Sequence, residues 1–423
     1  MAAAIQPVHF SEGSGSESAH RLCSVVRQPI LDLRGRVHAY ELRFRGDAVY
    51  AGTEAYSNFL ETVVNFGLDK PSELKKLTGK LTAFVRCPVE ALNEQLAQVL
   101  PASLTVLKIV QGPDVSPELI AACRQMKALG FRIALDDFRI DKQTGSLVEL
   151  ANYIEIDFAR ISQEESRGFL NELHDSEITL IAKRVNTYAD YRKAREVGFA
   201  LFEGHYFCEP TEVKNRRPPV NQMLRLNILK ALQQNPMDMH NVSHLVMRDG
   251  PIAYQLLRLV NSPVWGIRQK VESIEMALVA VGETSFRRIA TLAIAAEFNG
   301  DQPAELLCMA MLRGRICELT ASSRGLEQFG QYLLGLLSLL PAMQGQPMSE
   351  VTRTLPLSGE ILEALMGKRN FERATLCWLE NCERADWAAC DAAALADGLD
   401  QRDLARIYIE GVAWTEAALH SGI

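Results

Sequence analysis

Residues 25–44 read VVRQPILDLRGRVHAYELRF and contain the first two of eight β-rich runs in the first half of the chain. The other six follow in order: LTAFVR (81–86), LTVLKIV (104–110), RIALDDF (132–138), YIEIDF (153–158), ITLIAKRV (178–185) and ALFEGHYF (200–207). Helical patterns such as SPELIAACRQMKALG (116–130) lie between several of them and predict βαβ units with a mostly parallel sheet. Eight strands fit a (β/α)₈ barrel, although about 190 residues is short for that fold and predicts trimmed helices.

The β-rich runs stop after Pro210, and helical patterns dominate from there to the end of the chain. The segment TEVKNRRPPVNQ (211–222), with clustered basic residues and two prolines, is the predicted junction. We therefore expect an α/β fold followed by an all-α one. The predicted boundaries are a flexible tail at 1–20, the barrel at 21–212 and a helical bundle at 213–423.

Composition limits the function classes that the chain can belong to. Its 423 residues carry a formal charge of −7, which argues against a general nucleic-acid binder with a basic surface. Nine cysteines without a C-x-x-C pair predict reduced, buried thiols. The N-terminus lacks a signal-peptide pattern, and the most apolar stretch, from Tyr332, is too short to span a bilayer. We predict a cytoplasmic protein that does not bind membranes.

Several motifs of the first half occur in the order found in one known family. Gln28-Pro29-Ile30 and the run from Tyr40 to Arg45 resemble an opening strand with an E-A-L-L-R signature. The run from Leu135 to Phe138 matches D-D-F-G through its phenylalanine, and 204–210 resembles a closing Q-G-Y-x-x-x-x-P element. Together they resemble the EAL family of cyclic di-GMP phosphodiesterases, which implies a TIM-like barrel.

The second half resembles the HDOD domain, which is helical. DGPIAYQLLRLVNSPVWG (249–266) and SIEMALVAVGETSFRRIATLAI (273–294) are similar to its most recognisable segments. In the first segment, Asn261 and Ser262 can close a helix while Pro263 blocks its continuation, and the motif could alternatively mark a binding surface. In the second, Ser273 is the predicted N-cap, and Gly282 is expected to end the helix.

The EAL resemblance implies a two-metal site, and this chain departs from its pattern. The matching residues that are kept are Glu41, Arg45, Asp136, Asp137 and Asp157. The replaced ones are Arg86 for Asn, Lys108 for Glu, Glu155 for Lys, Lys183 and Asn186 for two Glu, and Glu203 for Gln. Lysine and arginine at such positions put fixed cations where Mg²⁺ would bind, and a second cation there would meet repulsion.

We therefore expect Arg86, Lys108 and Lys183 to pair with the remaining carboxylates, with no metal, cofactor or catalytic residue. Either this network only stabilises the barrel, or the altered pocket binds an anionic ligand without hydrolysing it. No His-Asp dipeptide follows residue 210, and His240 and His244, four residues apart, are expected on a helix surface.

The resemblances imply a non-catalytic signal-transduction adaptor whose partners are signalling proteins of unknown identity. The alternative is a receptor that binds cyclic di-GMP, or another nucleotide, without hydrolysing it. In that case Arg45 and the added cations would meet the phosphates. A weak cyclic di-GMP phosphodiesterase is the third hypothesis.

Overall fold

The computed structural model describes residues 24–45, 53–93, 96–110, 115–136, 145–160, 177–210, 221–267 and 269–419, together with Gly168 and Leu173. The predicted tail, most of the predicted junction, Asp137 and the residues that follow it in the D-D-F run lie outside these ranges.

The first half of the chain forms a closed barrel of eight strands in chain order. The strands are β1 Val25–Asp32, β2 Val37–Phe44, β3 Thr82–Cys87, β4 Thr105–Val110, β5 Arg132–Asp136, β6 Tyr153–Asp157, β7 Thr179–Lys183 and β8 Leu201–Glu203. Strands β2 to β8 run parallel to one another, and β1 pairs antiparallel with both β2 and β8. The eight predicted strands and the mostly parallel sheet are confirmed.

Helices connect the barrel strands, and some of them are short. They are α1 Thr53–Phe66, α2 Pro71–Thr78, α3 Val89–Asn93, α4 Pro117–Ala128, α5 Gly145–Val148 and α6 Tyr188–Val197, with 3₁₀ turns at Leu96–Val99, Ala102–Leu104 and Tyr206–Cys208. The described helix between β5 and β6 is a single turn, in line with the trimmed helices that the chain length predicts.

The second half is helical in the part that the structure describes. Its helices are α7 Gln222–Leu232, α8 Met239–Met247, α9 Gly250–Val260, α10 Ile274–Asn299, α11 Ala304–Ala321, α12 Gln328–Leu337, α13 Leu340–Gln344, α14 Met348–Val351, α15 Gly359–Leu365, α16 Ala374–Glu383, α17 Trp387–Asp397 and α18 Gln401–Leu419, with 3₁₀ turns at Pro263–Trp265 and Ser322–Arg324. Among the described helices, none has the length and apolar character needed to cross a membrane.

Helix α10 consists of two helical segments that meet at Gly282. The hydroxyl of Ser273 accepts a hydrogen bond from the backbone N–H of Met276, as an N-cap should. Gly282 has a non-helical conformation with a φ of 75°, so the first helical segment ends there as predicted, and a second segment follows directly and runs to Asn299. The continuation is favoured because its buried residues, Phe286 and Ile289 among them, pack into the core.

Helix α11 is buried along most of its length and packs closely against α12. A Cβ atom on Gly335 of α12 would lie 2.4 Å from the backbone carbonyl of Arg313 on α11. A Cβ atom on Gly314 would lie 3.0 Å from the carbonyl oxygen of Tyr332. The absence of side chains at these two positions lets the two helix backbones come together.

Gly335→Ala should therefore lower the free energy of unfolding by about 1–3 kcal/mol, because the added methyl forces the two helices apart. Gly359→Ala, at a helical position where a Cβ meets nothing within 4 Å, is the matched control and should be neutral or slightly stabilising. Urea unfolding followed by circular dichroism measures both. Equal effects of the two substitutions would contradict the close approach of α11 and α12.

A charged ring inside the barrel

The interior of the barrel has an apolar layer formed by one residue from each strand. Side chains two positions apart in a strand point to the same face. The apolar layer consists of Ile30, Ala39, Phe84, Val106, Ala134, Tyr153, Ile181 and Leu201. It fills the barrel at the amino end of the parallel strands.

A polar layer lies directly above, two positions further along each strand, or two positions earlier in the antiparallel β1. It consists of Gln28, Glu41, Arg86, Lys108, Asp136, Glu155, Lys183 and Glu203, which we call the charged ring. Arg86 is half-buried, and the other seven are buried. The alternation of each strand therefore brings seven of the predicted site residues into one layer.

Lys108 lies at the centre of this ring and is 1% exposed. Its Nζ is 2.6 Å from a carboxylate oxygen of Glu41 and 2.7 Å from one of Glu155. It is also 3.5 Å from Asp136. One ammonium group thus joins carboxylates from three different strands.

Two further cations complete the ion pairs. Lys183 Nζ contacts Asp136 and lies 3.4 Å from Glu155. Arg43, which is two residues after Glu41 on the same face of β2, contacts Glu203 at 2.5 Å and Glu41 at 3.3 Å. Together with Arg86, this region contains four cationic side chains and four carboxyl groups, so the charges would balance if all eight groups were ionised.

The carboxyl groups of the ring differ in the direction in which their pKa values are shifted. Burial raises the pKa of Glu41, but Arg43 and Lys108 outweigh burial and hold that pKa well below its usual range. For Asp136, the nearby lysines likewise outweigh burial and lower the pKa to about 2. Glu155 differs, since its complete burial raises its pKa to about 8, against the opposing charge of Lys108. A neutral Glu155 can still accept a hydrogen bond from an ammonium group.

Carboxylate oxygens of Glu41, Glu155 and Glu203 lie within 4.8 Å of one another, a spacing that could hold a metal ion. The Lys108 ammonium, however, already lies between two of these groups. Mg²⁺ requires oxygen ligands at about 2.0–2.1 Å in octahedral geometry. The ring therefore does not fit a pair of divalent cations unless Lys108 moves away.

The other predicted EAL-site residues that the structure describes lie outside the ring. Asp157 is 3.0 Å from Arg160 and 3.4 Å from Arg184. The side-chain oxygen of Asn186 accepts a long hydrogen bond, 3.5 Å, from the backbone of His205. Arg45 lies away from the ring carboxylates and contacts Asp391 and Gln401 of the helical half. Asp137 is not among the described residues.

Sequence reasoning missed the part that Arg43 and Gln28 play in this region. Arg43 occupies a hydrophobic position of the family signature, and Gln28 was noted only as part of a motif. The strand period was the available clue, since Arg43 follows Glu41 by two residues. The pairing of Gln28 with Glu41 across β1 and β2 depends on strand register.

The HDOD motif residues hold a loop together. The side chain of Asn261 donates to the carbonyls of Leu257 and Val271 and accepts from the N–H of Val271. Ser262 is buried, and Pro263 opens a 3₁₀ turn, so helix α9 ends where predicted. His240 and His244 are exposed on α8.

The chain is similar to one known domain family and to several known proteins. Residues 218–338 match the HDOD domain family. The chain is 28% identical to the uncharacterized protein YuxH of Bacillus subtilis, over 92% of this chain and 97% of that protein. It is 26% identical to the cyclic di-GMP phosphodiesterase CdgJ of Vibrio cholerae, over 93% of this chain and 92% of that protein. The FimX EAL domain of Pseudomonas aeruginosa, solved with cyclic di-GMP, is 19% identical and covers 44% of this chain and 89% of its own, with a TM-score of 0.36.

The chain thus contains a closed eight-stranded barrel followed by a helical half that matches the HDOD domain family over residues 218–338, in the order that its motifs predict. The HDOD match ends at residue 338, so helices α13 to α18 lie beyond it. The predicted boundaries at residues 20, 212 and 423 stay predictions.

Lys108→Met should lower the free energy of unfolding by about 3–5 kcal/mol, because it leaves Glu41 and Glu155 buried without their shared cation. Lys76→Met is the matched control. It removes a lysine whose side chain is 44% exposed and paired with Glu73, and it should cost less than about 1 kcal/mol. Urea denaturation measures both, and a similarly small loss for the two variants would contradict the central position of Lys108.

The raised pKa of Glu155 predicts a specific pH dependence. Its neutral form stabilises the fold, so that contribution is complete below its usual pKa of 4.5 and is lost as the pH rises through about 8. Glu155→Gln should remove this loss, and the variant should gain on the wild type by on the order of a few kcal/mol between pH 5 and pH 9. Unfolding curves at several pH values test this. Glu149→Gln, at an exposed carboxyl, is the control, and parallel profiles for wild type and Glu155→Gln would refute the assignment.

Proposed function

We propose that the protein is a non-catalytic signal-transduction adaptor, acting in the cytoplasm, whose barrel serves as a scaffold and whose helical half binds partner proteins. The observation that most supports this is the position of the Lys108 ammonium, 2.6 Å from Glu41 and 2.7 Å from Glu155. Two-metal hydrolysis needs two divalent cations that generate hydroxide and neutralise the developing phosphate charge. Here the protein's own ammonium group takes up the carboxylates on which such cations would depend.

The charge balance of the ring supports the same proposal. Lys183 contacts Asp136, and Arg43 contacts Glu203, so these carboxylates have cationic partners within the protein. A divalent cation would have to displace these ion pairs and would meet the repulsion of Lys108 in a buried, low-dielectric site. Scaffolding requires no such displacement.

A receptor for cyclic di-GMP is the second candidate, because a relative that aligns over nearly the whole chain is named as a phosphodiesterase of that nucleotide. Binding without hydrolysis would keep the nucleotide preference and lose the metals. Against this candidate, Arg45, the signature arginine that would meet a phosphate, already contacts Asp391 and Gln401.

Calorimetric titration of the purified full-length protein with cyclic di-GMP, with and without Mg²⁺ or Mn²⁺, separates these functions. The nucleotide is recovered afterwards and checked for hydrolysis. The adaptor proposal expects no heat at high micromolar nucleotide and no product. Binding without product would establish the receptor instead, and product formation would establish a phosphodiesterase.

Lys108→Glu sharpens the titration, since it restores the residue that the EAL pattern has at this position. For an adaptor it should cost stability and leave the titration flat. For a receptor it should abolish binding, whereas the surface variant Lys76→Glu should bind as the wild type does. The search for partner proteins would then use the full-length protein, in which the helical half is present together with the barrel.

A further inference from the structure

The C-terminal helices, which lie beyond the HDOD match, meet the inward face of the first two barrel strands. Val26 lies two residues before Gln28 on β1 and points to the same inward face. Because β1 is antiparallel to the other strands, Val26 is nearer than Gln28 to the carboxyl end of the parallel strands, and it is fully buried. It belongs to one apolar cluster with Trp378, Leu379 and Cys390 of helices α16 and α17. At this side of the barrel, therefore, the layer above the charged ring is completed by the helical half.

The charged ring itself touches the helical half through Gln28. The Gln28 side-chain amide donates a 2.9 Å hydrogen bond to the backbone carbonyl of Glu383, at the end of α16. The carboxylate of Glu383 accepts two hydrogen bonds from the buried Arg313, at 2.9 and 2.5 Å. The end of α16 is thus fixed both to the ring and to the core of the helical half.

Arg45 makes the outermost contact of this side. It follows Arg43 by two residues and continues the inward face of β2 beyond the strand. Its guanidinium donates to Gln401 at 2.7 Å, pairs with Asp391, and lies 6.0 Å from the ring centre of Trp387. Trp387 and Asp391 lie in the N-terminal half of α17, and Gln401 is the first residue of α18.

We propose that α17 and the start of α18 form a cover over the β1–β2 side of the barrel opening, and that Arg45 is its latch. The latch consists of Arg45, Asp391 and Gln401. Its salt bridge is only partly buried, with side chains 19% and 50% exposed, so it is the contact that an anion or a partner protein can reach first. Release of the latch lets α17 move away from the apolar cluster that contains Val26, while the end of α16 stays bound to Gln28.

Local opening of the cover does not require the two halves to separate. On the outer face of β1, Arg27 contacts Glu416 at 2.5 Å and the sulfur of Cys308 at 3.1 Å. Tyr40 of β2 donates a 2.8 Å hydrogen bond to Glu305. These contacts hold the halves together independently of Arg45. The inference concerns the cover alone and stands whether or not the barrel binds a nucleotide.

A charge swap in the full-length protein tests the latch, with Cys390 as the reporter because it is fully buried on the inner side of α17, against Trp378 of α16. Arg45→Glu and Asp391→Arg should each raise the rate of Cys390 alkylation by about fivefold or more, as the loss of about 1 kcal/mol of closing free energy requires. The double variant should return the rate to near that of the wild type. Peptide mass spectrometry identifies the alkylated residue.

Two controls make the result specific. Arg402→Glu changes an exposed arginine on the same helix α18 and should leave the Cys390 rate unchanged. Cys123, fully buried in the barrel half, should stay unreactive in every variant, which excludes general unfolding.

If a charge variant does not fold, the milder Gln401→Ala replaces it as the test of the latch. This substitution should raise the rate of Cys390 alkylation by about twofold.

The proposal is overturned if Arg45→Glu or Gln401→Ala leaves Cys390 as protected as in the wild type. It is also overturned if the double variant reacts as fast as the single ones, because the charges of Arg45 and Asp391 would then not act on each other.

Discussion

The ammonium group of Lys108 is the interaction on which the interior of the barrel depends. It is almost completely buried and contacts carboxylates contributed by β2, β5 and β6. Buried carboxylates are expensive without a cationic or hydrogen-bonding partner. Because side chains alternate between the two faces of each strand, the ring residues point inward, and their charges balance only together with Arg43, which lies two positions after Glu41 on β2. The apolar layer below it needs no such compensation.

A buried ion-pair network of this kind is weak evidence for high stability, because desolvation offsets much of the Coulomb attraction. Its effect is better described as a restriction on what else the interior can accept. Removing one member exposes its partners to the full cost of burial, and adding a divalent cation requires the lysines to leave. The interior of this barrel is therefore occupied by closed ion pairs rather than by open carboxylates.

The sequence predicted those parts of the structure that local patterns determine. All eight strands could be placed because each is a short β-rich run, and Ser273 could be assigned as an N-cap from its position before an apolar period. Gly282 could likewise be predicted to end a helical segment, but the second segment that follows it directly in α10 could not be predicted, since its packing involves distant residues. Lys108 and Lys183 could be named as partners of the carboxylates, but Arg43 could not, because its contact with Glu203 depends on barrel closure. No local pattern joins Arg45 to Asp391, which is 346 positions away.

The contact between Arg27 and Glu416 joins residues 389 positions apart, almost the two ends of the described chain. Strand β1 also closes the barrel by pairing with both β2 and β8. During synthesis β1 leaves the ribosome long before α18 is made, so the outer face of β1 stays without its packing partners until synthesis of α18 is complete. Contacts of such long range make assembly slow and leave apolar surface open meanwhile. Helix α18 therefore completes the packing of strand β1. A chain that stops before residue 401 would leave the outer face of β1 without these contacts, so the truncation would affect the barrel as well as the helical half.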